Sequence, residues 1–202
     1  MRLLSLVLIA APLFAACSSD GNDISSDEEA RRAYFGLDES IGKSITLGFA
    51  GFNSASSANI SPQADVGIAG GMLSITGQVD QGSSNNKGMR LRVGMVDYTD
   101  GKVIIDGEEL DINITYNTST DPLLQPALTM SLKSIPTGTL DGTLIGDYTM
   151  TGDLQGTATL NLTFTGKLMD AGAGKVARVP GMTHVTGTAD NGDGMFLVDL
   201  TL

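Results

Sequence analysis

The chain has 202 residues with 12 basic and 23 acidic side chains, a formal charge of -11, one cysteine, one histidine and no tryptophan. Such acidity argues against nucleic acid, which is bound by concentrated Lys and Arg on phosphates, and against electrostatic docking on anionic lipid. One cysteine permits no internal disulfide and one histidine excludes paired-histidine metal sites, so stability must come from packing and no cofactor is expected.

The first element is an apolar stretch. Arg2 supplies a basic start, Leu3 to Ala11 an apolar run and Ala15-Ala16 the small residues of a cleavage site, the three zones of a secretory signal too short to span a bilayer. The run Leu13-Phe14-Ala15-Ala16-Cys17 resembles the lipobox of bacterial lipoproteins, with Phe14 in place of the usual Leu. That resemblance implies a signal peptide over residues 1–16 and an acylated Cys17 that becomes the new N-terminus. Removal of the signal takes Arg2 with it and leaves 11 basic against 23 acidic residues. Residues 18–26 are small and polar and read as a tether of at most about 30 Å. Ser18 follows the cysteine, where the lipoprotein family often has Asp for inner-membrane retention, so the resemblance favours the outer membrane.

Residues 27–202 are expected to form one globular domain, helical over 27–57 and antiparallel β over 71–202. Ser26 with Glu29 forms a Ser-x-x-Glu capping box, and Asp27, Glu28 and Glu29 suit the positive end of a helix dipole. Gly36 marks a break, after which Leu37, Ile41, Ile45 and Phe49 make an apolar stripe with Leu47 and Phe52 nearby. Asp38, Lys43 and Thr46 fall on the opposite, polar side. Gly42 and Gly48 each lower helix propensity by about 1 kcal/mol relative to Ala, so this helix needs tertiary cover. Residues 53–70, rich in Ser, Asn, Ala and Gly with Pro62, read as a connection.

From Gly71 the period becomes two. Leu73, Ile75 and Val79, then Leu91, Val93 and Met95, then Ile112, Ile114 and Tyr116 alternate with polar residues or glycine. Thr157 to Thr165 is the clearest strand, with Ala158, Leu160, Leu162 and Phe164 on one face and Thr or Asn on the other. Leu128 to Leu132, Thr143 to Met150, His184 to Thr188 and Met195 to Leu202 are further strands. Asp100-Gly101, Asp106-Gly107, Asp141-Gly142, Asn191-Gly192 and Asp193-Gly194 read as tight turns. The fold class is therefore α+β, mostly β: a curved antiparallel sheet or open barrel packed on an N-terminal helix. The scarcity of aromatics argues against a transmembrane barrel.

Chemistry-bearing motifs are sparse. His184 sits in a strand-like run and reads as structural. Gly172-Ala173-Gly174-Lys175 has Met169 where a phosphate loop requires Gly and Val176 where it requires Ser or Thr, so it reads as a loop, and the nearby Arg178 does not rescue it. Ser40-Ile41-Gly42-Lys43 has Ser-x-x-Lys spacing without companion motifs. Asp190 to Gly194 gathers carboxylates without calcium-loop spacing and reads as a hairpin turn. Glu108 and Glu109 are adjacent on a strand and point to opposite faces.

The lipobox, the tether, one weak helix and Thr/Gly-rich strands such as Tyr98-Thr99-Asp100-Gly101-Lys102-Val103 and Gly152-Asp153-Leu154-Gln155-Gly156-Thr157 together resemble uncharacterised β-rich bacterial lipoproteins of deltaproteobacterial type. The resemblance carries no activity and no site residues. It implies a non-enzymatic envelope lipoprotein, held to the membrane through lipid on Cys17, with a structural or interaction role. The alternative is a carrier of an apolar ligand such as an acyl chain, held between helix and sheet by Ile41, Ile45, Phe49, Leu160, Leu162 and Phe164.

Overall fold

The computed structural model describes residues 23–105 and 107–202. The stretch read as a signal peptide, Cys17 and the first part of the segment read as a tether lie outside the described residues, as does Asp106 of the Asp106-Gly107 pair. Among the described residues two helices come first, α1 (Asp27–Phe35) and α2 (Asp38–Ser54). Ser26 Oγ accepts the Glu29 N–H at 3.2 Å, and the Glu29 carboxylate accepts the backbone N–H and hydroxyl of Ser25 at 2.8 and 2.7 Å. These bonds satisfy donors that a helix start leaves open and fix where α1 begins. The break falls at Gly36, where a Cβ would lie 2.9 Å from the Tyr116 ring. The folded part also starts earlier than the tether reading allows. Ile24 is fully buried, and its carbonyl accepts from Asn191 Nδ2 at 2.8 Å.

Twelve strands follow: β1 (Asn59–Val66), β2 (Gly70–Val79), β3 (Lys87–Thr99), β4 (Lys102–Ile105), β5 (Glu108–Asp111), β6 (Ile114–Asn117), β7 (Ala127–Lys133), β8 (Thr139–Gly152), β9 (Gly156–Asp170), β10 (Val176–Arg178), β11 (His184–Asp190) and β12 (Met195–Thr201). The main sheet has ten strands in the order β1-β2-β3-β6-β8-β9-β11-β12, all antiparallel; β7 fills the other half of the space between β3 and β8, and β10 pairs with the end of β9. The expected fold, mostly β with an antiparallel sheet packed on N-terminal helical structure, is what the structure shows, with that helical structure in two pieces. β4 and β5 form a separate hairpin beyond the end of β3.

Two expectations about local structure are corrected. Residues 59–66, read as connection, form edge strand β1, whose register slips between Ile60 and Gln63 around Pro62. A bulge and a proline suit an edge strand, where a missing donor breaks no ladder, and both hide it from the eye looking for alternation. Asp141-Gly142, read as a turn, lies inside β8; a Cβ at Gly142 would collide with the Phe164 ring. That glycine makes room for a core aromatic and does not turn the chain.

The sheet curls tightly. Lys43 of α2 reaches the Val66 carbonyl of β1 at 3.0 Å, and Asp38 of the same helix reaches Arg178 of β10 at 2.7 Å. Five helical residues advance about 7.5 Å. The five steps from β1 to β9 would span about 24 Å in a flat sheet at ~4.8 Å per step. The helix therefore lies in the gap of an open barrel, with β1 and β2 on one side and β10 on the other, while α1 packs on β12. Mid-strand Gly187 permits part of this curvature. Its φ is 148°, and a Cβ there would strike the Asn161 carbonyl oxygen of β9. Close approach of α2 depends on small residues too: a Cβ at Gly48 would lie 2.7 Å from Met89 Sδ, and one at Gly51 2.9 Å from Ile60. Gly48 therefore both weakens the helix and lets it sit down, whereas a Cβ at Gly42 would meet nothing closer than Glu39 of the same helix at 3.9 Å.

Candidate functional site

The strongest concentration of polar chemistry inside the fold lies along α2, where its first turns meet strands from both sides of the gap. On the β10 side, Asp38 accepts two bonds from the Arg178 guanidinium at 2.7 Å each, while a third Arg178 donor reaches the Asp38 carbonyl at 2.9 Å. Tyr34, one turn earlier, donates its hydroxyl to Asp38 Oδ1 at 2.8 Å. Both charged side chains are 12% exposed. Burial pulls the Arg178 proton affinity down, but the Asp38 carboxylate outweighs it and holds the guanidinium above its ordinary value. Burial, together with the same carboxylate, raises the Tyr34 phenol well above its usual range.

On the β1 side, Lys43 Nζ donates to Asp100 Oδ1 at 2.6 Å and to the Val66 carbonyl. Asp100 also accepts the Ile68 N–H at 2.8 Å and the Tyr98 hydroxyl. Burial, then the hydrogen bond to Asp100, raises the Tyr98 phenol. Lys43 stands 5.1 Å from the centre of the Tyr98 ring, close enough for a cation–π contribution. Asp100 therefore ties together the β1–β2 turn, the end of β3 and α2.

These groups are mutually satisfied. A buried carboxylate that accepts a bidentate guanidinium and a phenol has little capacity left for substrate. The arrangement is a lock between helix and sheet. Sequence periodicity places Asp38 and Lys43 on the solvent side of α2; the structure buries both. Their partners lie 140 and 57 residues away in the chain. No local pattern carries such a pairing.

The six residues expected to line a ligand space sit in one apolar core. Ile41, Ile45, Leu160, Leu162 and Phe164 are at most 1% exposed, and Phe49 packs partly buried at the margin. Phe49 borders a groove of about 220 Å3 between Thr46, Phe49, Ala50 and Asn53 of α2 and the turn Ala173 to Val176. That is below the ~300 to 1,000 Å3 of usual small-molecule sites. A second concavity, of about 460 Å3, lies against the β4–β5 hairpin and is bordered by Ile105, Glu108, Glu109 and Leu110.

The remaining motifs resolve individually. His184 lies exposed on the outer face, its Nε2 2.9 Å from Asp199 across the β11–β12 pair. Ser40 donates to the Leu37 carbonyl at 2.5 Å while Lys43 is held by Asp100, so the Ser-x-x-Lys pair is parted. In the β11–β12 turn, Asn191 Oδ1 accepts the N–H groups of Asp193 and Gly194 at 2.9 and 2.7 Å, the geometry of a hairpin loop. Among the described residues no group of three or more His, Cys, Asp or Glu is arranged to hold a metal ion. Glu109 pairs with Lys102 at 2.6 Å on the exposed hairpin. No protein-family model, curated protein or solved structure matches the chain.

Proposed function

We propose that the protein is a lipid-anchored lipoprotein of the bacterial envelope, favouring the outer membrane, with a structural or interaction role and no catalytic activity. The observation that carries this reading is the sequence Leu13-Phe14-Ala15-Ala16-Cys17 behind a short apolar run. It is supported by Ile24, seven residues after that cysteine, which is already part of the core. No helix of the described residues is long and apolar enough to cross a membrane, so acylation is the attachment this reading requires. The packed core around Ile45 and Leu162 favours a structural role over carriage of an acyl chain, because those side chains are already in contact with protein.

Fractionation of cells that express the full chain tests the proposal. Cys17→Ala is expected to move the protein from the membrane to the soluble fraction with its far-ultraviolet circular dichroism unchanged. A variant that stays tightly bound to membrane would overturn it. Native mass spectrometry of protein extracted from its membrane addresses the ligand: a bound lipid beyond the covalent acyl chains would restore the carrier reading.

A further inference from the structure

Exposed apolar side chains are not spread evenly over this domain. Strand register defines two ends: one carries the β1–β2, β3–β4, β8–β9 and β11–β12 turns, the other the β2–β3 and β7–β8 turns and Leu202. At the first end Val66, Met72 and Val96 stand in register across three neighbouring strands, 50 to 64% exposed. Ile68 in the adjoining turn and Ile104 on the β4–β5 hairpin are 70 and 68% exposed. Across the gap, Met195 and Leu197 at the start of β12 are 65 and 60% exposed. The opposite end has Met169 and Met182, each no more than half exposed, while Leu123 and Leu124 of the β6–β7 connection, 78 and 68% exposed, and Ile145 of β8 lie between the two ends. A rim of this kind on a folded domain marks a surface that meets something apolar.

The chain enters at that same end. Ile24 is held by Asn191 of the β11–β12 turn, the Asp23 carboxylate lies by Gly156 at the start of β9, and Asp27 Oδ1 accepts the Leu197 N–H at 2.7 Å. Six peptide units from Cys17 to Asp23 span at most about 22 Å. The 15 residues of β9 cover about 50 Å at ~3.3 Å each. A lipid on Cys17 can therefore bring the bilayer to the rim, and the far end stays beyond its reach.

We propose that this rim is a membrane-contact surface: Ile68, Ile104, Met195 and Leu197 rest in the headgroup region of the bilayer to which Cys17 is anchored. The inference rests on the acylation reading given above. Asp23, Asp27, Asp153, Asp190 and Asp193 share this end, so anionic headgroups are disfavoured and the occupant is a zwitterionic surface such as phosphatidylethanolamine. Contact is apolar and shallow, and it sets the orientation of the domain while the acyl chains supply the attachment.

The test uses full-chain protein purified from its host membrane and reconstituted into phosphatidylethanolamine–phosphatidylcholine vesicles that carry a headgroup nitroxide quencher. A fluorophore is placed through Ile104→Cys, Leu197→Cys or, at the far end, Thr139→Cys, and mass spectrometry reports acylation of Cys17. Quenching at 104 and 197 at least twofold above that at 139 is the expected result. Equal quenching at all three positions in acylated protein would overturn the membrane-contact surface while leaving the anchor intact. If the chain proves unacylated, the same labels on a Cys17→Ser background decide separately: quenching at 104 and 197 keeps the surface without the anchor, and none removes both.

Discussion

The run β7-β8-β9-β11 and the gap filled by α2 solve the same problem, burial of an apolar face, by opposite means. In the strand run the outer face repeats one residue type: Thr129, Thr143, Thr163 and Thr186 are register partners across four strands. The inner face of β9 is Ala158, Leu160, Leu162 and Phe164, all essentially buried. Every side chain there can be assigned inward or outward from its position alone. The gap is different, because α2 must match two strand edges at once. It does so with buried charges, Asp38 with Arg178 and Lys43 with Asp100, and with glycines where the backbones come close. Regular pairing makes a sheet; specific, long-range polar contacts decide where an open sheet is closed.

The sharpest attempt to break this comparison is Ile45→Asp. Ile45 is fully buried, and an unpaired carboxylate there should cost several kcal/mol of a total that for a domain is about 5 to 15. Loss of a cooperative melting transition by circular dichroism is expected; an unchanged melting temperature would mean α2 is not part of the core.

Next comes the lock itself. Arg178→Leu leaves Asp38 buried without its cation and should cost about 3 to 5 kcal/mol, whereas Asp38→Leu combined with Arg178→Leu should recover a large part of that loss. Urea unfolding of the two single variants and the double variant measures the coupling. Additive losses would show that the pair is not a unit.

Gly187→Ala tests the strand side. Its positive φ and the Asn161 carbonyl together should cost at least the ~1 to 3 kcal/mol typical of a strained backbone position, read as a lowered urea midpoint. A neutral outcome would mean the sheet does not need this bend.

A smaller effect is expected at the start of α1. Ser26→Ala should cost about 1 kcal/mol. Glu29 sits below its ordinary value of 4.5, first because the Ser25 hydroxyl and then because the Ser25 N–H bond to it. A group lowered on folding stabilises above its unfolded value, and that stability is lost as the pH falls through the folded one. The stabilisation from Glu29 should therefore be intact at pH 7, start to fade only as the pH falls below about 4.5 and be gone once it is under the lowered folded value, so the loss of stability on acidification below pH 4.5 should be smaller in Glu29→Gln. Smallest of all, Thr163→Ala on the exposed face should stay within about 0.5 kcal/mol of the parent; a larger loss would mean the outer face is covered by something the isolated chain lacks.

Much of this architecture was legible in advance, for reasons particular residues make plain. Thr157 to Thr165 alternates without exception because one face of the strand meets core and the other meets water. Ser26 and Glu29 announce α1 because a helix start has donors that only such side chains reach. β1 was not legible, since Pro62 and its bulge break the alternation. Gly142 misled because a glycine after Asp is commonest in turns, and only the position of the Phe164 ring, 22 residues on, shows what it is for.

Composition and pattern by themselves determined the fold class, the start of α1, the break at Gly36 and the facing of most strands, because these follow from local periodicity and from backbone donors that neighbours must satisfy; the helical reading to residue 57 overran the end of α2 at Ser54. Tertiary structure alone decided that the sheet curls around α2, that Asp38 and Lys43 are buried, and that most of the exposed large apolar residues lie at the end where the chain enters. Each of those depends on groups distant in sequence and adjacent only after folding: a charge can be buried where a partner's geometry compensates its desolvation, and that partner has no fixed spacing along the chain.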